Sequence, residues 1–153
     1  MSKEPLAKNY SKDALTSVDI ELNAEKLFKI SKVKEIDYLN KIIPEVTEVS
    51  LKKPYKLKPN EYVIVQTKEE FNVPKDLAAL IIRDSSSFRI GLNVLSGRLP
   101  PGYKGKPYLG LKNEGENIIL IRKDMRLAKI LFFEVKGDTL PLIYHYMDSS
   151  KVI

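Results

Sequence analysis

The chain has 153 residues, 43% hydrophobic and 30% charged, a length that suits one domain burying roughly 70% of its unfolded surface. It has no cysteine and a single histidine, His145, which excludes a disulfide framework, thiolate zinc sites, iron–sulfur clusters and cysteine nucleophiles and argues against a histidine-rich metal site or a Ser-His-Asp triad. Lys+Arg 26 against Asp+Glu 20 leaves a net charge of +6. The lysines are spread along the chain, often beside glutamate (Lys3-Glu4, Glu25-Lys26, Lys34-Glu35, Lys68-Glu69). Both a solvated lysine-rich surface and an anion-binding one fit that pattern.

The first segment, Met1–Thr16, is polar and lysine-rich, unlike a signal peptide, and is expected to be partly loose. Ser17–Leu22 (SVDIEL) alternates, with Val18, Ile20 and Leu22 on one face, and predicts a strand. Asn23–Ile30 fits a short helix or a strand. Ser31–Pro59 reads as irregular, with strand-like IIPEV and VTEVSL stretches punctuated by Pro44, Pro54 and Pro59. Glu61–Gln66 (EYVIVQ) predicts a strand and Phe71–Asp76 a turn. The run Leu77–Ile82 has no polar face, so burial on both sides is expected. Gly91–Gly105, with four glycines and two prolines, suggests a tight hairpin. Tyr108–Lys112, Asn117–Arg122 and Arg126–Val135 follow as strands, and Leu140–Tyr146 as a last one. Many short strands with frequent turns imply an all-β barrel or sandwich. The longest apolar runs fall far short of the ~20 residues that span a bilayer, so a soluble, cytoplasmic protein with no membrane partner is expected.

Three segments in order, SVDIEL (17–22), DSSSFRIGL (84–92) and GRLPPGYKG (97–105), together with MRLAKILFF (125–133), resemble the dUTPase/dCTP deaminase family of nucleotide enzymes. LKPNEYVIVQTKEEFNVPKDLAALI (57–81) resembles the family's approach to its serine motif. SVDIEL and the long stretch before Leu57 look more like the deaminase branch. The resemblance implies a distorted, jelly-roll-like β-barrel (a β-clip) over residues 17–135, with the polar segment 1–16 before it and a tail, 136–153, after it. It also implies a homotrimer holding a deoxynucleoside triphosphate (dUTP, dCTP or dTTP) between subunits. Magnesium would arrive with the phosphates. No resident metal or other cofactor is implied.

Carried over by resemblance, Ser85, Ser86 and Arg89 match the family's "R-S-S-x-x-R-x-G-L" element, and hydroxyls and a guanidinium suit phosphate oxygens. Arg98, Gly102 and Tyr103 match its later glycine- and proline-rich segment. These six are the candidate nucleotide-binding residues. Three family catalytic positions differ. The first arginine of the serine element is Asp84, a carboxylate expected to repel phosphate; Arg83, one residue earlier, is expected to point to the opposite strand face. The water-orienting aspartate is Pro100, which has no side-chain proton acceptor. The proton-shuttling glutamate is Gly110. The glutamine after the family's "R-I-A" is Lys129, and no family lid sequence is recognisable in Lys136–Ile153. Asp19 matches an acidic residue that supports the later segment structurally. Glu114 and Glu116 read as a solvated turn, and His145 as packing beside Tyr144 and Tyr146.

The expectation is therefore a member of the family without catalysis, keeping the trimeric scaffold and nucleotide binding in a regulatory or structural role. The alternative is an active dUTP pyrophosphatase or dCTP deaminase with rearranged residues. A single-stranded nucleic-acid binder using lysines with Tyr103 and Tyr108 is the third reading, and nucleic acid is not the expected partner. Zinc-dependent base deamination is excluded because that metal site needs cysteine.

Overall fold

The computed structural model describes residues 5–140. Its main body is an eight-stranded sheet curled on itself. The central strand, β2 (Asp19–Ile30), runs unbroken through the segment that fits either helix or strand by sequence. Ile20, Leu22, Ala24 and Leu27 are buried while Val18, just outside the strand, is exposed, so only part of the predicted apolar face points inward. The segment before it contributes β1 (Ala7–Lys8) and a 3-10 turn at Lys12–Ala14 that buries Ala14.

Within the predicted irregular stretch lie β3 (Val46–Val49) and β4 (Tyr55–Leu57). β5 (Tyr62–Thr67) follows as expected, and β6 (Glu70–Asn72) occupies the start of the predicted turn. Then come β7 (Leu77–Arg83), a single helical turn α1 (Ser85–Arg89), β8 (Leu92–Leu95), β9 (Arg98–Leu99) and β10 (Lys104–Gly105). β11 (Tyr108–Asn113), β12 (Ile119–Ile121) and β13 (Arg126–Glu134) complete the described elements.

The main sheet runs β8-β11-β5-β2-β13-β7-β9, with β3 paired to β2. Its two ends, β8 and β9, are joined in sequence by Ser96-Gly97. There Ser96 Oγ donates to the Ile81 carbonyl at 2.8 Å and Ile81 N donates to the Gly97 carbonyl at 3.1 Å. The sheet thus closes as a distorted all-β barrel, as expected. Alternation fills it with Val63 and Val65 from β5 and Leu109 and Leu111 from β11, and β13, whose register against β2 shifts between Arg126 and Ala128, adds Leu127 and Ile130; all six are essentially without solvent contact. Phe71 of β6 caps the core against Phe132, ring centroids 5.9 Å apart.

Two expectations fail here. Gly91–Gly105 is no hairpin: β8 pairs with β11, β9 with β7 and β10 with β6. Its glycines and prolines keep its arms apart and carry the chain from one end of the sheet to the other. β7, in turn, is not covered on both sides by this chain. Ala79 and Ile81 face the core, but Leu80 and Ile82 are 47% and 45% exposed. Phe133 of β13 is exposed beside them, its partner across the ladder being Ala78. A run without a polar face is here an ordinary alternating strand whose outward half is also apolar. Leu140 ends the described residues, so the predicted last strand and His145 lie outside them. Among the described residues no helix is long and apolar enough to cross a membrane.

Candidate functional site

The serine segment begins where β7 ends. Asp84 turns the chain in extended geometry and caps α1 by accepting from the Ser86 amide at 3.3 Å and from the Ser86 hydroxyl. Asp84 is 3% exposed. Its carboxylate lies 3.4 Å from Nε of Arg126, whose Nη1 reaches Glu21 at 2.6 Å. The Asp84 carboxylate thus points inward, against Ser86 and Arg126. Burial acts to raise its pKa, yet the Ser86 hydroxyl and amide, then Arg126 and Lys129, hold it below the usual carboxylate range. Ser85 and Arg89 face solvent, as does Ser86, although its hydroxyl is committed to Asp84. Ser87 is buried and donates to the Leu127 carbonyl at 3.3 Å. Arg83 is exposed, its guanidinium 5.9 Å from the Phe88 ring centroid.

The second candidate group lies past the barrel closure. Arg98 is exposed and stands opposite Leu80 across the β9–β7 ladder. Pro100–Tyr103 forms a tight turn, with Tyr103 N donating to the Pro100 carbonyl at 3.1 Å and Gly102 at φ +83 in the position where such turns favour glycine. Gly102 N donates to the Val73 carbonyl and Val73 N to the Tyr103 carbonyl, both at 2.8 Å. Gly102 and Tyr103 thus fasten this segment to the end of β6, and the half-buried Tyr103 packs on the core.

Gly110 sits in β11 between Ile64 and Leu95 on its two neighbouring strands. A Cβ built on it would meet the ring of Tyr62 at 3.0 Å, with the hydroxyl nearer still. The ring of Tyr62, two residues along β5 from Ile64, therefore leans over the place where any side chain at position 110 would stand. The reading of the sequence did not single out Tyr62. Its signal was present in the alternation of EYVIVQ, which puts Tyr62, Ile64 and Gln66 on the outward face beside position 110.

Residues 2–135 match the family described as dCTP deaminase-like. The chain belongs to the dCTP deaminase-like family. It is 32% identical over 129 residues to a dUMP-forming dCTP deaminase of Kocuria rhizophila, covering 80% of this chain and 67% of that one. It is 33% identical over 115 residues to a dCTP deaminase of Buchnera aphidicola, covering 74% and 59%. It spans about half, 49%, of the length of a matching dUMP-forming dCTP deaminase from Dictyoglomus thermophilum. In fold it is similar to the deaminase of Agrobacterium tumefaciens (TM-score 0.68, 22% identity, 83% of this chain and 43% of that one). It is also similar to the dUTPase of Staphylococcus bacteriophage 80alpha (TM-score 0.55, 15% identity, 92% and 96%).

In this dCTP deaminase-like chain the candidate residues fall into two groups. Asp84, Ser85, Ser86 and Arg89 gather at the far end of β7. Arg98 stands beside Leu80, four residues and about 13 Å back along that strand, with Gly110 and Tyr62 across the barrel closure. Lys129, 3.8 Å from Asp19, pairs with it on the same outward face. Asp19 itself accepts from the Thr16 hydroxyl at 2.8 Å; its contacts are with its own turn and β13, a different support from the one expected at the 97–105 segment. Glu114 and Glu116 are exposed in the turn after β11, Glu114 accepting from Asn93 Nδ2 at 2.9 Å. Among the described residues no group of three or more His, Asp or Glu is arranged to hold a metal ion.

Proposed function

We propose that this dCTP deaminase-like chain is a homotrimeric protein that binds deoxynucleoside triphosphates without deaminating or hydrolysing them, in a regulatory or structural role. What carries the reading is Tyr62 over Gly110: the seat of the family's proton-shuttling glutamate offers a phenol ring and no carboxylate. Pro100 likewise provides no side-chain proton acceptor. A positioned general base is worth about 10²–10⁴-fold in rate, and both positions where the resemblance places one lack it. Binding is supported by the exposed Ser85, Arg89 and Arg98, whose hydroxyl and guanidinium groups suit phosphate oxygens. Magnesium would travel on those oxygens, keeping several of its waters.

The trimer is supported by the outward apolar residues Leu80, Ile82 and Phe133, and by the distance between the two candidate groups, which a neighbouring subunit would bridge. Sedimentation at micromolar concentration is expected to give three times the 17.5 kDa chain mass. A stable monomer would overturn the trimeric assembly.

Calorimetric titration with dUTP, dCTP and dTTP in magnesium buffer is expected to show saturable binding, while neither ammonia nor pyrophosphate is released above background. Robust release of either would refute the non-catalytic reading. The second reading, an active deaminase or dUTP pyrophosphatase with rearranged residues, is favoured by the 32–33% identity to proteins named dCTP deaminase. It requires turnover that Ser85→Ala and Arg98→Ala abolish.

A further inference from the structure

We propose that Tyr62 is the surface on which the planar base of a bound nucleotide rests, with Arg98 taking its phosphate; this rests on the nucleotide-binding reading above. The geometry begins with Gly110. Having no side chain, it lets the Tyr62 phenol lie down across β11, where a Cβ would press on the ring at 3.0 Å. The residue nonetheless remains 38% exposed, so the ring is both held in place and open to solvent. The other aromatic residues on this outward face are differently occupied. Phe28 and Tyr108 pack on each other at 6.1 Å, and Gln66 Nε2 donates to the Tyr108 hydroxyl at 2.7 Å. Lys112, opposite Tyr62 on β11, is turned to the Asn60 carbonyl at 2.8 Å.

On its other side Gly110 faces Leu95, 47% exposed, at the end of β8. Arg98 follows Leu95 by three residues, at most about 11 Å of chain. Because Ser96-Gly97 closes the barrel, Tyr62, Leu95 and Arg98 share one continuous outer surface: ring, apolar floor, cation. That sequence of chemistries matches base, sugar and phosphate. Burial raises the Tyr62 pKa, so at neutral pH the phenol carries no charge to repel a phosphate. A π-face accepts any base, so Tyr62 contributes affinity for nucleotides as a class and little discrimination among dUTP, dCTP and dTTP.

The absence of tryptophan makes a direct test available: Tyr62→Trp carries the protein's single indole. Its fluorescence is expected to be quenched by dUTP, dCTP and dTTP and left unchanged by inorganic tripolyphosphate, which has phosphate but no base. Tyr62→Leu, which keeps apolar bulk over Gly110, is expected to bind the three nucleotides roughly five- to hundredfold more weakly and tripolyphosphate as well as the parent protein does. Gly110→Ala, which displaces the ring while retaining it, should weaken nucleotide binding in the same direction. If the parent binds nucleotides but Tyr62→Leu binds them equally tightly and the indole is not quenched, the ring merely fills the space above a glycine; the stacking proposal falls and nucleotide binding stands. If the parent binds no nucleotide, both fall.

Discussion

Placing an arginine at position 84, the residue type that the family resemblance implies there, is expected to cost this chain about 4 kcal/mol. Asp84 is 3% exposed, its carboxylate serving at once as the cap of α1, the acceptor of the Ser86 hydroxyl and the counter-charge to Arg126. Asp84→Arg would set a second guanidinium against Arg126 in a space built for an acid. Disrupting one side of a buried pair costs about 3–5 kcal/mol. The 46% exposure of Arg126 lets that side chain escape toward water, which holds the expected loss near the middle of that range. Asp84→Asn keeps a capping oxygen and loses the charge, so roughly 1–2 kcal/mol is expected. Urea unfolding monitored by circular dichroism checks both, and an arginine variant as stable as the parent would contradict the account. The pH dependence has a definite sign. The folded-state pKa of Asp84 is lowered, so its contribution is complete above the unfolded value near 3.9 and is lost as pH falls through the lower folded value. Asp84→Asn should therefore remove part of the parent's loss of stability below about pH 4.

Glu69→Ala is expected to be the next most damaging change, costing about 3 kcal/mol. Glu69 has no solvent exposure. One oxygen accepts from the Asn23 amide and the other from Asn23 Nδ2, each at 2.9 Å, binding the turn after β5 to the central strand. Alanine leaves both donors without their acceptor and a gap where the carboxylate stood, each a recognised source of multi-kilocalorie loss. Burial raises the Glu69 pKa, with the Asn23 donors acting against it, and burial prevails. The folded state then holds the proton more tightly than the unfolded chain. Its contribution to stability falls as pH rises from about 4.3 through the folded value. Glu69→Gln, which cannot titrate, is expected to flatten that slope in unfolding measurements between pH 4 and 7; an unchanged slope would show that another group sets it.

Most of the barrel could be read in advance because its strands alternate. EYVIVQ and YLGLK each place every second residue in the core, and the structure keeps those faces, whereas the run from Arg126 buries Leu127 and Ala128 side by side where the β13–β2 register shifts. Harder to read were places where local chemistry is ambiguous. Asn23–Ile30 has charged residues at spacings that suit either period, and pairing with β5, β13 and β3 decides for strand. Gly91–Gly105 looks like a hairpin because glycine and proline mark turns, yet turns do not say which strands they connect. The helix at Ser85–Arg89 is one turn long, too short to show periodicity, and rests on a cap by Asp84. At the candidate site the residue types transferred by resemblance stand where the strands place them, but two facts were beyond the sequence. Asp84 turns away from solvent because Arg126, forty-two positions later, is there to meet it. Gly110 is not an empty place, since a ring from the adjoining strand lies across it.

The central strand also has a consequence for synthesis. β2 is made early, yet β13, which covers part of its edge, pairs with it across a separation of about a hundred residues: Arg126 stands opposite Asn23 and Leu131 opposite Asp19. Until Arg126–Glu134 leaves the ribosome, that stretch of β2 and the facing edge of β7 remain unpaired, and free strand edges recruit other strands. A nascent chain halted before that point would be prone to join its neighbours through those edges, and completion of β13 is what turns an adhesive intermediate into a closed barrel.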